Sequence, residues 1–282
     1  MQLLAPAKIN LSFQIKSRRA DGFHEIETLM APISLADEIT IERIEPEGEL
    51  GFSCDDPSLP VGDDNLVVRA AKLFRERTGV RNGITIALKK KIPHGAGLGG
   101  GSSDAASTLL GLNEIFETGL ARDDLLNLAA QLGSDVPFFI VGSAATCRGR
   151  GELVTPAFLA STFDALLLKP AFGVPTSWAY GKLKDARELP GVDYSPQNFG
   201  ELRCVNDLER PVFEKFVVLA KLKTWLRQQP EVAVGLMSGS GSTMFALLHD
   251  GAAAESLAAR AKAAMDPELW TCGVSLFSSA SR

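Results

Sequence analysis

The sequence predicts an α+β protein made of two units, and three observations carry that prediction. Apolar residues alternate with period 2 in several short runs, as in strands with one buried face. Capped stretches with helical stripes separate those runs. The final part reads strand, helix, two strands, helix, strand, the split βαβ order. At 282 residues the chain has room for one large or two medium domains and a sizeable core.

Taken in order, Ile9, Leu11, Phe13 and Ile15 alternate with Asn10, Ser12, Gln14 and Lys16 in a first strand, which puts Lys8, Asn10 and Ser12 on its polar face. Glu38–Ile44 and Gly83–Lys90 alternate again. Between them Asp63-Asp64-Asn65 offers N-caps for a helix with the stripe Leu66, Val67, Ala70, Ala71 and Phe74, closed by Gly79. A second helix is expected from Ser102–Ser103 through Leu112, and a third over Asp123–Leu132. A strand is expected near Phe138–Val141, then a seam at Gly149-Arg150-Gly151 and Pro156. Beyond it come a strand over Asp164–Lys169, a helix from Thr176, and a loop-rich stretch over 190–206. A single long helix from Pro211 to about Gln229 follows, then a strand ending at Met237, a Ser-Gly-Ser-Gly-Ser loop, a strand Thr243–Leu248, a helix Ala252–Met265 and a strand Cys272–Phe277.

Composition narrows the function. Hydrophobic residues make up 45% and charged residues 22%, with a net charge of −5 and no basic tract, so nucleic acid is not an expected partner. No apolar run approaches the ~18–20 residues of a membrane span, and Lys8 interrupts any signal-like start, so a cytoplasmic protein is expected. Cys54, Cys147, Cys204 and Cys272 are widely spaced and read as reduced thiols. His24, His94 and His249 show no metal-binding spacing, which makes a transition-metal site unexpected.

Glycine is the informative residue. In Lys91-Ile-Pro-His-Gly-Ala-Gly-Leu-Gly-Gly-Gly-Ser-Ser-Asp-Ala-Ala106, between a predicted strand and helix, Gly99, Gly100 and Gly101 remove side chains where backbone must approach something closely. Ser102 and Ser103 add hydroxyls at a helix N-terminus, whose free amides and dipole favour an anion such as a nucleotide phosphate. A Walker A loop fails because no Lys follows the glycines. The dinucleotide fingerprint does match at Gly95, Gly97 and Gly100, with Glu114 or Glu117 beyond, though a parallel βαβ sheet is not apparent. A protein-kinase loop lacks its His-Arg-Asp and Asp-Phe-Gly companions. A plain glycine-rich turn is the least satisfactory explanation for so many glycines and paired serines.

The loop Pro93–Ser103 resembles the phosphate-binding motif of the GHMP kinases. Further blocks in that family's order are Ala5–Leu11, Arg19–His24, Asp64–Ala70, Gly133–Pro137, Gly173–Thr176 and Ser238–Ser242. They resemble in particular the branch that phosphorylates the 2-hydroxyl of a cytidine-diphosphate-linked methylerythritol on the non-mevalonate route to isoprenoids. The resemblance implies a ribosomal-protein-S5-like ATP-binding domain over residues 1–155 and a ferredoxin-like substrate domain over 156–282. It also implies ATP and Mg2+, a small-molecule substrate with a cytidine diphosphate group, no membrane partner, and a monomer or weak homodimer.

By the same resemblance Lys8 and Asp135 match the catalytic pair, with Asp135 as base and Lys8 holding charge. Taken singly, Lys8 reads equally as a solvated strand-edge charge and Asp135 as a cap before Pro137. Pro93, His94, Gly95, Ala96, Gly97, Leu98, Gly99, Gly100, Gly101, Ser102 and Ser103 would hold the ATP phosphates, with Asn65 and Lys90 near the adenine. Phe23 and Tyr180 would flank the cytosine, His24 would read its edge, and Asn10 would contact the polyol or its phosphates, with Thr176 also at the substrate. Gly239 and Gly241 would close a second glycine loop over the phosphates, and Ser103 would approach Mg2+. One departure is Phe23, where the family usually has Tyr; the ring face stays and the phenol's hydrogen bond goes. Another kinase of the family, for mevalonate, homoserine or a sugar, is the second reading. An oxidoreductase and a non-catalytic regulator are readings from other classes.

Overall fold

A computed structural model describes residues 1–45 and 47–277. Two long strands organise the N-terminal half: β1 (Gln2–Arg18) and β2 (His24–Ile44) pair antiparallel along most of their length. β2 also carries β4 (Gly83–Lys89), which pairs in parallel with β3 (Leu50–Cys54), and further along it carries β5 (Ala145–Gly149). Four helices cover one face: α1 (Leu66–Thr78), α2 (Gly100–Ile115), α3 (Arg122–Leu132) and α4 (Val136–Val141). Phe74, Leu109, Leu112, Leu128 and Phe138 form the core between them and the sheet.

The first helix forms as its caps predict. The Asn65 side chain accepts from the Val67 amide at 2.9 Å, and Gly79 ends the helix at φ 74°. β1 departs from a one-sided strand, because Lys8 and Asn10 on its polar face are 3% and 2% exposed. Shifts of register between Pro6 and Lys8 and between Asn10 and Ser12 bracket both residues. Such bulges re-aim side chains, here toward a site between the two halves.

The segment near Phe138–Val141 is the helix α4, not the expected strand. All six of its residues are buried, so no periodicity separates the two states, and Pro137 favours a helix's first turn. Gly149-Arg150-Gly151 is the turn of a hairpin between β5 and β6 (Leu153–Pro156), closed by the Gly151 amide donating to the Arg148 carbonyl at 3.0 Å.

The second half contains β7 (Phe163–Lys169), α5 (Thr176–Lys182), β8 (Gln197–Phe199) and β9 (Leu202–Asn206). It continues with α6 (Glu209–Lys215), α7 (Val217–Leu226), β10 (Val232–Met237), β11 (Met244–Leu248), α8 (Ala254–Ala264) and β12 (Trp270–Leu276). Its main sheet runs β10-β11-β7-β12, all antiparallel, which is the expected βαββαβ arrangement. The expected long helix is two, α6 and α7, broken at Phe216, whose φ of −107° and ψ of 66° are not helical. Phe216 leaves the helical path to stack on Phe172 at 5.0 Å and meet Trp178 edge-on at 5.7 Å. The halves join where β12 meets β2 and where β9 runs parallel beside β1.

Candidate active site

Between the halves lies a cleft of about 1320 Å³. The glycine loop forms one wall. Gly95, Gly97 and Gly99 have φ of 63°, 76° and 73°, a region open to glycine without strain. Close packing adds a second demand at Gly97, where a Cβ would stand 2.3 Å from the Ser238 carbonyl oxygen. α2 begins at once after Gly99, and its first turn has no side-chain cap. The Ser103 amide donates to the Gly99 carbonyl at 2.9 Å, so the amides just before it have no partner within the helix. That bare N-terminus opens on the cleft through Gly100, Gly101 and Ser102.

Lys8 stands behind the loop. Its ammonium donates to Asn10 Oδ1 at 2.7 Å and to the Gly97 carbonyl at 2.9 Å, and lies 3.7 Å from Asp135 Oδ2. Burial pushes the Lys8 pKa down, and Asp135 opposes that without cancelling it. Lys8 is therefore not a solvated edge charge. Asp135 does occupy the N-cap position of α4, but its side chain makes no capping bond; at 38% side-chain exposure it faces the cleft. Asn10 is fixed in turn, donating through Nδ2 to Thr28 Oγ1 at 2.8 Å while Thr28 donates to the Ser12 carbonyl at 2.6 Å.

At the other end of the cleft His24 stacks on Tyr180, ring centroids 5.3 Å apart and planes at 23°. Phe23 is 54% exposed, with the Arg150 guanidinium 4.9 Å above its ring. Thr176, at the start of α5, shares a 2.9 Å hydroxyl–hydroxyl hydrogen bond with Ser240 of the second glycine loop.

Lys90 lines the cleft near Asn65, but its charge is engaged: the ammonium donates to Asp37 and, at 2.8 Å, to Asp104. These carboxylates outweigh burial and raise the Lys90 pKa, while burial raises that of Asp104 to about 7. Asp37 also accepts from the Lys91 and Ile92 amides at 2.6 and 2.8 Å, tying the entry of the glycine loop to β2.

The cleft thus gathers Lys8, Asn10, Phe23, His24, Asn65, Lys90, the loop from Pro93 through Ser102, Asp135, Thr176, Tyr180 and Gly239. It does not gather Ser103 or Gly241. Ser103 is fully buried beneath the loop and its hydroxyl has no partner among the described residues. Gly241 packs against the Met237 sulfur instead. Sequence reasoning missed Asp37, Arg150, Asn206 and Ser238. Ser238 lay inside the recognised Ser-Gly loop; the others carried no local signal.

Comparison with known proteins places the α+β frame that carries this cleft among the GHMP kinases. Family models described as "GHMP kinases N terminal domain" and "GHMP kinases C terminal" match residues 65–143 and 195–267. A 4-diphosphocytidyl-2-C-methyl-D-erythritol kinase of Methylacidiphilum infernorum is 42% identical over 272 residues, covering 94% of this chain and 93% of its own. One of Bacillus cytotoxicus is 42% identical over 259 residues, covering 88% and 89%. A crystal structure of 4-(cytidine 5'-diphospho)-2C-methyl-D-erythritol kinase superposes with a TM-score of 0.80 at 37% identity, covering 98% of this chain and 99% of the other. A homoserine kinase from Cytophaga hutchinsonii, at 18% identity and TM-score 0.68 over 99% and 95% of the chains, shares the fold. The chain belongs to the 4-diphosphocytidyl-2-C-methyl-D-erythritol kinase family.

Proposed function

We propose that this protein transfers the γ-phosphoryl group of ATP to the 2-hydroxyl of 4-diphosphocytidyl-2-C-methyl-D-erythritol, giving the 2-phosphate and ADP. The observation that carries the reading is Lys8, a buried ammonium bonded to the glycine loop and 3.7 Å from the cleft-facing Asp135. Phosphoryl transfer asks a protein chiefly for positioning and charge stabilisation, with one group to take the attacking hydroxyl's proton. Asp135 is that group. The Lys8 ammonium lies beside Asp135 and faces the charge that spreads over the moving phosphoryl oxygens.

The free amides at the start of α2 hold the triphosphate, and Asn65 and Lys90 border the adenine side. Lys90 acts there through its carbon stem, since its charge is taken by Asp37 and Asp104. The His24–Tyr180 stack gives the cytosine a flat apolar face, with Phe23 at the rim; base–aromatic stacking is worth ~1–3 kcal/mol. Residues 1–155 then form the nucleotide-holding unit, and 156–282 contribute Thr176, Tyr180 and Gly239 to the acceptor side. Magnesium is expected to arrive with ATP and to neutralise phosphate charge. Ser103 does not fit as its ligand, because its hydroxyl is buried away from the cleft.

A coupled ADP-release assay tests the reading. The expected result is turnover with 4-diphosphocytidyl-2-C-methyl-D-erythritol and none above background with mevalonate or homoserine. Equal turnover with mevalonate would overturn it.

A further inference from the structure

Asn206 ends β9, outside the motifs that mark the glycine loops, yet it is 4% exposed and both amide protons and one Oδ1 lone pair of its side chain are in use around the site. Its Nδ2 donates to the Met237 carbonyl at 2.7 Å and to the Gly239 carbonyl at 2.8 Å, while its Oδ1 accepts from the Leu208 amide at 2.9 Å. One planar amide therefore holds both the end of β10 and the second glycine loop. Its own backbone is anchored on the other half of the molecule, since β9 pairs with β1 at Ser12–Val205 and Phe13–Asn206. The next residue repeats the tie: the Asp207 amide donates to the Phe13 carbonyl at 2.9 Å and Asp207 Oδ2 accepts from the Ile15 amide at 2.8 Å. Buried Glu209 adds a second fastening to the same loop, accepting from the Met237 amide at 3.0 Å while Lys223 donates to it.

The loop held in this way touches the reacting groups. A Cβ on Gly239 would lie 3.1 Å from Asn10 Oδ1 and 3.5 Å from the Lys8 ammonium. Ser238 Oγ accepts from the Asn10 amide at 3.3 Å and donates to the Gly97 carbonyl at 3.0 Å, the carbonyl that also accepts from Lys8. From Asn206 the path to Lys8 runs through the Met237 and Gly239 carbonyls it holds, Ser238 between them, and the Gly97 carbonyl that Ser238 Oγ and Lys8 share, each link a covalent or hydrogen bond. We infer that Asn206 is a positioning residue for phosphoryl transfer: by holding the Gly239 carbonyl against β1 it keeps the second glycine loop pressed on Lys8 and Asn10 and fixes where the ammonium points. This rests on the role proposed above for Lys8.

The isosteric Asn206→Asp keeps an acceptor for the Leu208 amide and removes both donors; Asn206→Ala removes all three bonds. Each is compared with the wild type in two ways. With ATP and the cytidyl-polyol acceptor, kcat is expected to fall about 10- to 100-fold while either KM moves by less than about threefold, because a displaced reacting group costs rate rather than binding. Independently of turnover, amine acylation followed by mass spectrometry reads whether each lysine is shielded. Lys8 should label at least about tenfold faster in the variants, while Lys223, held by Glu209 and not by the Asn206 amide, stays protected as a marker of the intact fold. Unchanged Lys8 labelling would overturn the inference, as would Lys8 and Lys223 becoming exposed together in both variants, which would make Asn206 a purely structural residue. An inactive wild type with Lys8 released selectively would instead count against the proposed reaction and leave the Asn206–Lys8 linkage standing.

Discussion

Lys8 and Asp135 divide their work by environment. The lysine is buried and its pKa is depressed; the aspartate is partly open to the cleft where an alcohol can reach it. Asp135→Asn keeps the shape and removes the proposed base, and kcat measured by ADP release is expected to fall by ~10²–10⁴. The Lys8 ammonium is needed in its charged form, so activity should be lost as pH rises through a value below the ordinary 10.5. Because Asp135 raises the Lys8 pKa, that alkaline limb should move to still lower pH in Asp135→Asn, which a pH–rate profile reads. Asp104 carries the opposite sign. Its pKa is raised from 3.8 to about 7 by burial, so the folded state binds a proton the unfolded chain has lost. Its contribution to stability is complete below 3.8 and gone above about 7. Asp104→Asn should flatten the pH dependence of unfolding free energy across that window, measured by denaturant titration at several pH values.

Glycines set the elements that meet in the cleft, and only some of them are constrained. Gly97→Ala puts a methyl against the Ser238 carbonyl at 2.3 Å and forces a left-handed φ of 76°. It should cost ~1–3 kcal/mol and separate the two glycine loops. Gly101→Ala meets only Leu66 Cδ1 at 3.7 Å, so its melting temperature should stay near that of the wild type. A thermal scan of the pair distinguishes a packing demand from a general intolerance of side chains. The glycine loop, its strand and its helix were legible in the sequence because φ > 0, close approach and helix initiation all select local residue types. α4 was misread as a strand because a six-residue run buried on every side has no periodicity. The break at Phe216 was invisible for a different reason: its cause is a ring stack with Phe172, 44 positions away in the chain.

At the scale of the molecule the sequence disclosed the α+β class, the βαββαβ order of the second half, and the glycine-loop wall of the cleft with Lys8 and Asp135 beside it. It disclosed nothing of the buried polar residues that tie the two glycine loops to their surroundings. Asp37, Asn206 and Glu209 look like ordinary loop or helix-start residues until folding brings partners from distant segments to them. The Glu209–Lys223 pair is 1% exposed on both sides, and removing one partner leaves a buried charge alone. Lys223→Met should destabilise the protein by ~3–5 kcal/mol in denaturant unfolding. In the proposed reaction the two halves bring one hydroxyl, one carboxylate and one phosphoryl group together. The most direct measurement is a crystal structure with a non-hydrolysable ATP analogue and the cytidyl-polyol acceptor bound together. The acceptor's 2-hydroxyl is expected within hydrogen-bonding reach of Asp135 and about 3–3.5 Å from the γ-phosphorus, with the phosphates on the α2 amides. A triphosphate lodged away from those amides, or a 2-hydroxyl turned away from Asp135, would contradict it.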